Sequence, residues 1–543
     1  MRQRTLIFSL TLIPLVLAQC PLYSHYAFKK HEPLSTGRHE LAYMRPIPSC
    51  RTFIAPEVEE AVERMRHVIV DPDLMRVFEN SWPSTLDTTI AWRGYAEEPV
   101  PPEVLQGLAA SSEEEDVLQV QTVPLKPPPK PKGKKTDEEL TFVITGDIEA
   151  MWLRDSANQL QAYASLLRPN SSFDSLASVF RGAINLQARY ILEAPFCNAF
   201  QAPDESNIMR KSSANSDTIS PYFDYMKVFS CNWELDSLAS FLQLSDDYVK
   251  ATGDFAFFKK FNWTGAVQRV LETAESMRID SYTPTGEWQH TPYTYCAPYG
   301  GTPINECNGS PHKGNIGLVR SFHRPSDDAC TYQYLIPSNM MFSQYLNASS
   351  AIMAQIEPSD GNLTQWMRTM STEIKEGIER HGVVRDRKYG DVYAYEVDGY
   401  GSANMMDDPN IPSLLSAPFL GYVLQGDKVY QNTRRKILSK DNPYYAWGPV
   451  ISGVGSPHTM PGRVWPMALI MRILTSDDDA EIVANLKDLI KSTDGYGVMH
   501  ESVHAHHGGM WSRQWFSWAN GMFGQVILDL EKRKPHILKM GFQ

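Results

Sequence analysis

The chain has 543 residues with 63 acidic and 51 basic side chains, a net charge of −12 that excludes a nucleic-acid-binding surface spread over most of the molecule. A hydrophobic fraction of 42%, with 12 Trp, 25 Tyr and 22 Phe, excludes a disordered or coiled-coil chain. Length alone allows about three or four domains or one large one.

Arg2 and Arg4 precede an apolar run from Leu6 to Ala18, the basic and apolar parts of a secretory signal, with cleavage expected after Ala18. The run is too short to cross a bilayer, so no stable membrane insertion is expected once residues 1–18 are removed. A retained anchor, or a lipid on Cys20, is the alternative. Residues 19–66 read as a Pro-punctuated leader segment, and helical periodicity begins across Val68–Leu86. From about 97 to 138 the composition turns Pro-rich, with an acidic Ser111–Asp116 run and five lysines between Lys126 and Lys135, which reads as a solvated insertion.

Beyond it, within a domain over 67–543, short polar turns that offer helix caps repeatedly precede apolar stretches. These stretches are Ala157–Leu167, Leu238–Leu244, Met340–Leu346, Leu414–Val423, Val464–Leu474 and Gly521–Leu530. Amphipathic segments lie between most of them: Phe173–Glu193, Ala256–Met277, Leu363–Arg380 and Ala480–Ser492. Buried helices alternating with amphipathic ones suggest an inner ring wrapped by an outer ring, an all-α (α/α)6 toroid, with a helical solenoid as the alternative.

Three segments concentrate carboxylates, Arg and aromatics: Thr145–Ser156, Asn232–Leu238, and Gly497–Ser502 continuing to Arg513–Asn520. Aromatic rings stack on the apolar faces of sugars, carboxylates and Arg hold hydroxyls, and a pair of carboxyl groups cleaves glycosidic bonds. Taken singly, each Asp at a helix start is a cap and each Trp is core; the recurrence of the mixture points to a site. His500-Glu501-Ser502-Val503-His504 also matches the zinc-protease pattern, but Gly495 and Gly497 before it and Gly508 and Gly509 after it do not suit the long helix that pattern needs.

The seven cysteines form no Cys-x-x-Cys pair, so disulfides are expected in an oxidising compartment, with Cys296–Cys307 the first guess and Cys197–Cys231 the second. Five Asn-x-Ser/Thr sequons, at Asn170, Asn262, Asn308, Asn347 and Asn362, agree with a secreted or secretory-pathway lumenal location.

At the three segments, and at Pro83–Thr89, Tyr395–Gly401, Met406–Leu415 and Gly455–Thr459, the sequence resembles glycoside hydrolase family 125, the metal-independent exo-α-1,6-mannosidases. The resemblance implies an (α/α)6 fold, no metal or other cofactor, a mannose-containing oligosaccharide or glycan as substrate, and inversion at the anomeric carbon. It places the general acid on Asp236 and the general base on Glu501, which inversion would hold roughly 6.5–9.5 Å apart. Trp152, Arg154, Asp155 and His458 are the candidates for holding the terminal mannose, with Arg513, Trp515 and Asn520 beside them and Asp398 and Asp408 at the rim. The loops at 97–138 and 280–330 read as insertions relative to shorter relatives. Another inverting glycosidase, an inactive glycan-binding protein and a zinc hydrolase are the alternatives.

Overall fold

In the computed structural model, residues 20–98, 133–210, 217–297, 307–358 and 361–543 are described. The expected signal and most of the Pro/Lys-rich insertion lie outside these residues.

Eleven helices build the frame: α1 (Pro72–Ser81), α2 (Leu153–Gln161), α3 (Leu176–Glu193), α4 (Leu235–Thr252), α5 (Trp263–Ser276), α6 (Ile336–Ile356), α7 (Leu363–Gly377), α8 (Lys428–Ile437), α9 (Pro466–Leu474), α10 (Asp479–Lys491) and α11 (Ser517–Arg533). Burial sorts them. Helices α2, α4, α6, α9 and α11 are buried on nearly every face, the last four through their apolar stretches and α2 with its polar Arg154, Asp155, Ser156, Asn158 and Gln159 buried as well. Helices α5, α7 and α10 bury one stripe at three- and four-residue spacing, such as Val267, Val270, Leu271 and Ala274 of α5, and turn the other face to water. The inner helices contact one another in order: α2 touches α4, α4 touches α6, α9 touches α11, and α11 returns to α2. Outer helices α3, α7, α10 and α1 pack on α4, α6, α9 and α11 respectively.

One expected inner helix is absent. Residues 414–423 form consecutive turns, because Pro418 lacks an N–H and Gly421 takes φ +76°, a left-handed conformation that no α-helix contains. Outer helix α8, with Asp427 capping the Tyr430 N–H, was not legible from apolar periodicity.

Small sheets of two or three strands, seven among the described residues, depart from a purely helical reading. They sit where they matter: extended runs Met151–Trp152, Tyr334–Leu335 and Arg463–Val464 each lead directly, or within two residues, into α2, α6 and α9. Strands Ser502–His504 and His507–Ser512 stand close ahead of α11. These sheets tie the starts of the inner helices together and so fix the end of the ring where the chemistry-bearing segments lie.

The segment ahead of α1 is fastened to the ring. Arg45 binds Asp87 at 2.7 Å and Glu59 of helix Pro56–Arg66 at 3.1 Å, and the Met44 N–H donates to Asn80 Oδ1 at 2.9 Å. The ends of the 97–138 segment are also structured, since strand Ile90–Glu97 pairs antiparallel with Lys135–Val143. Cys197–Cys231 and Cys296–Cys307 form disulfides, as does Cys20–Cys50, which leaves Cys20 no thiol for a lipid. Cys330 is free and buried.

The closure of the ring depends on a close approach at Gly524 of α11. A Cβ there would stand 2.1 Å from Cδ1 of Trp82, a fully buried ring whose Nε1–H donates to the Ala162 carbonyl at 3.1 Å. Gly524→Val is therefore expected to lower unfolding stability by about 2–3 kcal/mol through overpacking. Urea unfolding followed by tryptophan fluorescence measures this, and an unchanged midpoint would show that the contact yields freely.

Candidate active site

The starts of α2, α4 and α6 meet around one guanidinium. Arg154, in the first turn of α2 and 3% exposed, places Nη1 2.5 Å from Glu234 Oε2 and 3.3 Å from Asp236 Oδ2, and Nη2 3.3 Å from Asp155. Glu234 is the residue before α4 and Asp236 lies in its first turn, where the free N–H groups of a helix start favour a carboxyl group. Ser338, in the first turn of α6, donates its hydroxyl to Asp236 Oδ1 at 3.1 Å. Both Glu234 and Asp236 are shut off from solvent.

Asp327 completes the group from a loop. It accepts the Asn198 amide at 3.1 Å and faces the Trp152 indole N–H at 3.5 Å, and Asn198 also donates to Glu234 at 3.1 Å. Burial pushes the carboxyls of Glu234, Asp155 and Asp236 upward, Asp155 to about 6, and Arg154 opposes this in each case. Burial acts on Asp327 too, but Arg154 and the hydrogen bond with Glu234 outweigh it and hold that carboxyl low.

A second carboxylate is fixed on the other side. Glu501 immediately precedes strand Ser502–His504; its Oε2 accepts the Ser512 hydroxyl at 2.8 Å and its Oε1 lies 3.5 Å from Arg513 Nη1. Arg513 adopts φ +39° without being glycine, and its guanidinium also binds Asp147 and bears on Asp155. Asp155 therefore lies in the fields of both Arg154 and Arg513, linking the surroundings of Asp236 and Glu501. Glu501 and Asp327 also bear on His458, which is 3.6 Å from Asp328.

Trp152, Arg154, Asp155, Asp236, Glu501, Arg513 and His458 are thus joined through contacts and mutual fields. The other expected residues hold neighbouring backbone and side-chain groups of the protein. Asn520 uses Oδ1 on the Met499 N–H at 2.9 Å and Nδ2 on the Met499 and Phe516 carbonyls at 3.0 and 2.7 Å, clamping the segment that carries Glu501 into strand Ser502–His504. Trp515 donates its indole N–H to Ser84 at 3.0 Å. Asp398 accepts the Tyr400 and Ser402 N–H groups at 2.8 and 2.9 Å, and Asp408 holds Asn410 at 3.0 Å and Ser456 at 2.5 Å.

Asp327, Asp328, Asn198 and Ser338 had not been singled out. The two aspartates sit inside the 280–330 segment read as an insertion, where the polar run Ser326-Asp327-Asp328 was the available signal. His500 and His504 do not share a helical face: the run is extended, His500 is buried flat against Trp511 at 4.6 Å, and His504 belongs to a strand. Four residues of strand span about 13 Å, too far for two ligands of one ion.

Residues 71–528 match the family model of metal-independent alpha-mannosidases, glycoside hydrolase family 125. The chain belongs to this family. It is 42% identical over 525 residues to the meiotically up-regulated gene 157 protein of Schizosaccharomyces pombe, covering 96% of this chain and 94% of that protein. Its fold is that of the Streptococcus pneumoniae metal-independent α-mannosidase solved in a non-productive complex with α-1,6-mannobiose, with a TM-score of 0.71 and 31% identity, over 90% of this chain and all of that one. The toroid and its membership of the α-mannosidase family are thereby established, and the starts of the inner helices are where this family member gathers its buried carboxyl groups.

Pairing with Asp328, 3.6 Å away, lifts the His458 pKa to about 8. A folded pKa above the ordinary imidazole value of about 6.5 means that this pairing stabilises the fold fully below pH ~6.5 and is lost as pH rises through 8. Asp328→Asn is expected to bring the His458 titration down toward its ordinary value, read by NMR of 13C-labelled histidine; an unmoved titration would break the assignment.

Proposed function

We propose that this family member is an exo-acting, inverting α-mannosidase that releases non-reducing terminal α-1,6-linked mannose from glycans or mannan, with Asp236 as general acid and Glu501 as general base. The observation that carries the reading is the separate anchoring of these two carboxyl groups, Asp236 by Ser338 and Arg154, Glu501 by Ser512 and Arg513, about a shared polar cluster. The α-1,6-mannobiose held by the Streptococcus pneumoniae relative supports the linkage.

The chemistry follows from the protonation states. Burial favours the neutral acid at Asp236, which gives its proton to the glycosidic oxygen as the bond to the anomeric carbon breaks. Glu501 takes a proton from water, and the water oxygen bonds to that carbon from the opposite face, so mannose leaves as the β anomer. Arg154, Asp155, Trp152, Arg513 and His458 hold the departing mannose. The Arg154 Nε atom is buried without a hydrogen-bond partner among the described residues, and Asp155 Oδ2 has only its ion pair with Arg154. Trp515, Asn520, Asp398 and Asp408 keep the surrounding loops in place. Three disulfides support a secreted or lumenal location.

Hydrolysis of α-1,6-mannobiose followed by NMR is expected to show β-mannose first, at a rate that a chelator does not change. Initial α-mannose would refute inversion, and chelator-sensitive loss would revive a metal reading. Asp236→Asn and Glu501→Gln are each expected to lower kcat by about 100-fold or more with an unaltered melting temperature. Full activity in either variant would remove that residue from its role. As pH rises, kcat/KM should fall when Asp236 loses its proton, at a pH above the ordinary aspartate range.

A further inference from the structure

The outer wall of the toroid carries a cavity of about 630 Å³ that the proposed chemistry does not use. Tyr95 and Glu139 of the hairpin, Arg181 of α3, Tyr248 near the end of α4, and Phe257 and Phe261 ahead of α5 line it. Its polar wall is ordered: Arg181 binds Glu139 at 2.5 and 3.0 Å and donates to the Tyr248 hydroxyl at 3.4 Å, and Tyr248 donates to Asp254 at 3.0 Å. Half-buried Tyr95 and Phe261 supply ring surface beside these charges. Aromatic faces next to fixed donors and acceptors are what a sugar ring needs. This cavity is remote from the acid, because twelve residues of α4 separate Asp236 from Tyr248, about 18 Å of helix rise.

Asn170 of the sequon Asn170-Ser171-Ser172 is itself part of this lining. The residue is exposed, its Oδ1 accepts the Ser172 N–H at 2.9 Å, and its backbone carbonyl is held by Arg181 at 2.7 Å. Its Nδ2 makes no hydrogen bond among the described residues, so the atom that would carry a sugar is free while the rest of the residue is fixed. Asn262, another exposed sequon, directly follows Phe261. Asn308 is the opposite case: it is 4% exposed, and its side chain accepts the Thr291 N–H at 3.2 Å, so a glycan there is incompatible with the fold.

We propose that Asn170 carries an N-linked glycan whose core N-acetylglucosamine rings seat in this cavity, on the flank away from the catalytic mouth. The inference rests on the lumenal reading above. The transfer joins Nδ2 to the anomeric carbon of a lipid-pyrophosphate-linked oligosaccharide. The donor's carbon–oxygen bond breaks, the lipid pyrophosphate leaves, and the amide gives up one proton.

The test is glycopeptide mass spectrometry of the full chain secreted from a glycosylating eukaryotic host, with release by peptide-N-glycosidase followed before and after denaturation. Asn170 is expected to be occupied and Asn308 bare. Native release at Asn170 should be at least ten-fold slower than at exposed Asn362, with the difference gone on denaturation. Tyr95→Ala, which opens the cavity, should bring native release at Asn170 to the Asn362 rate. Glycans at Asn262 or Asn362 with none at Asn170, or equal native release rates at Asn170 and Asn362, would overturn the seat while leaving the lumenal reading intact. A chain bare at every sequon would overturn both.

Discussion

The site depends on a charge imbalance that cannot be relaxed into water. One buried guanidinium, Arg154, faces the carboxyl groups of Glu234, Asp155, Asp236 and Asp327; Arg154, Glu234, Asp155 and Asp236 are buried, and Asp327 is half-buried at their edge. Four ionised carboxylates around one cation would leave several buried charges unpaired, which costs far more than protonating some of them. Protons therefore stay on this cluster well above the ordinary carboxylate range, and the geometry decides where. Asp327 keeps its charge because Arg154 and a hydrogen bond from Glu234 favour it, so Glu234 and Asp236 are the groups driven toward the neutral form. An acid ready to donate at Asp236 is thus a consequence of crowding carboxyls into one dry place.

That arrangement also explains the small sheets. A helix start brings its own free N–H groups, so five inner helices beginning at one end of a ring make an electropositive mouth able to hold many carboxyl groups. Keeping those starts level requires a brace. The extended runs just before α2, α6 and α9 pair with neighbouring loops, and the Asn520 amide bonds Met499 to α11. The Cys197–Cys231 link acts on the same layer, joining a residue beside Asn198 to one three positions before Glu234.

Much of this is legible in the amino-acid sequence. Asp155 and Asp236 stand just ahead of apolar runs in the sequence and fall in the first turns of α2 and α4, and a helix start is where a carboxyl group is both locally favoured and carried to the mouth. The inner ring and outer helices α5, α7 and α10 followed from the contrast between all-round and one-sided apolar patterns, whereas α3, expected to be amphipathic, is buried nearly all round. The misses have physical causes. Residues 414–423 are apolar enough for a buried helix, but Pro418 and Gly421 forbid one, and composition outweighed backbone chemistry in that reading. Helix α8 carries few apolar residues, so periodicity had nothing to register. Asp327 and Asp328 reside in a loop without periodicity, and only their fold position, opposite Arg154 and His458, gives them meaning.

The His500–His504 run shows the converse, a pattern that matches while its geometry does not. The same five residues on a helix would bring two imidazoles one turn apart, but Ser502–His504 is the central strand of three, pairing with Arg463–Val464 on one side and His507–Ser512 on the other. Alternation along an extended chain then separates the roles. His500 goes inward, where burial lowers its pKa to about 4 and keeps it neutral against Trp511, with Nδ1 on the Gln514 carbonyl at 2.6 Å. Glu501, one residue on, turns the other way toward Ser512 and Arg513. The neutral, fully packed histidine anchors the strand, and the anchored strand holds the carboxylate, so the motif's histidine and glutamate work in sequence as support and chemistry.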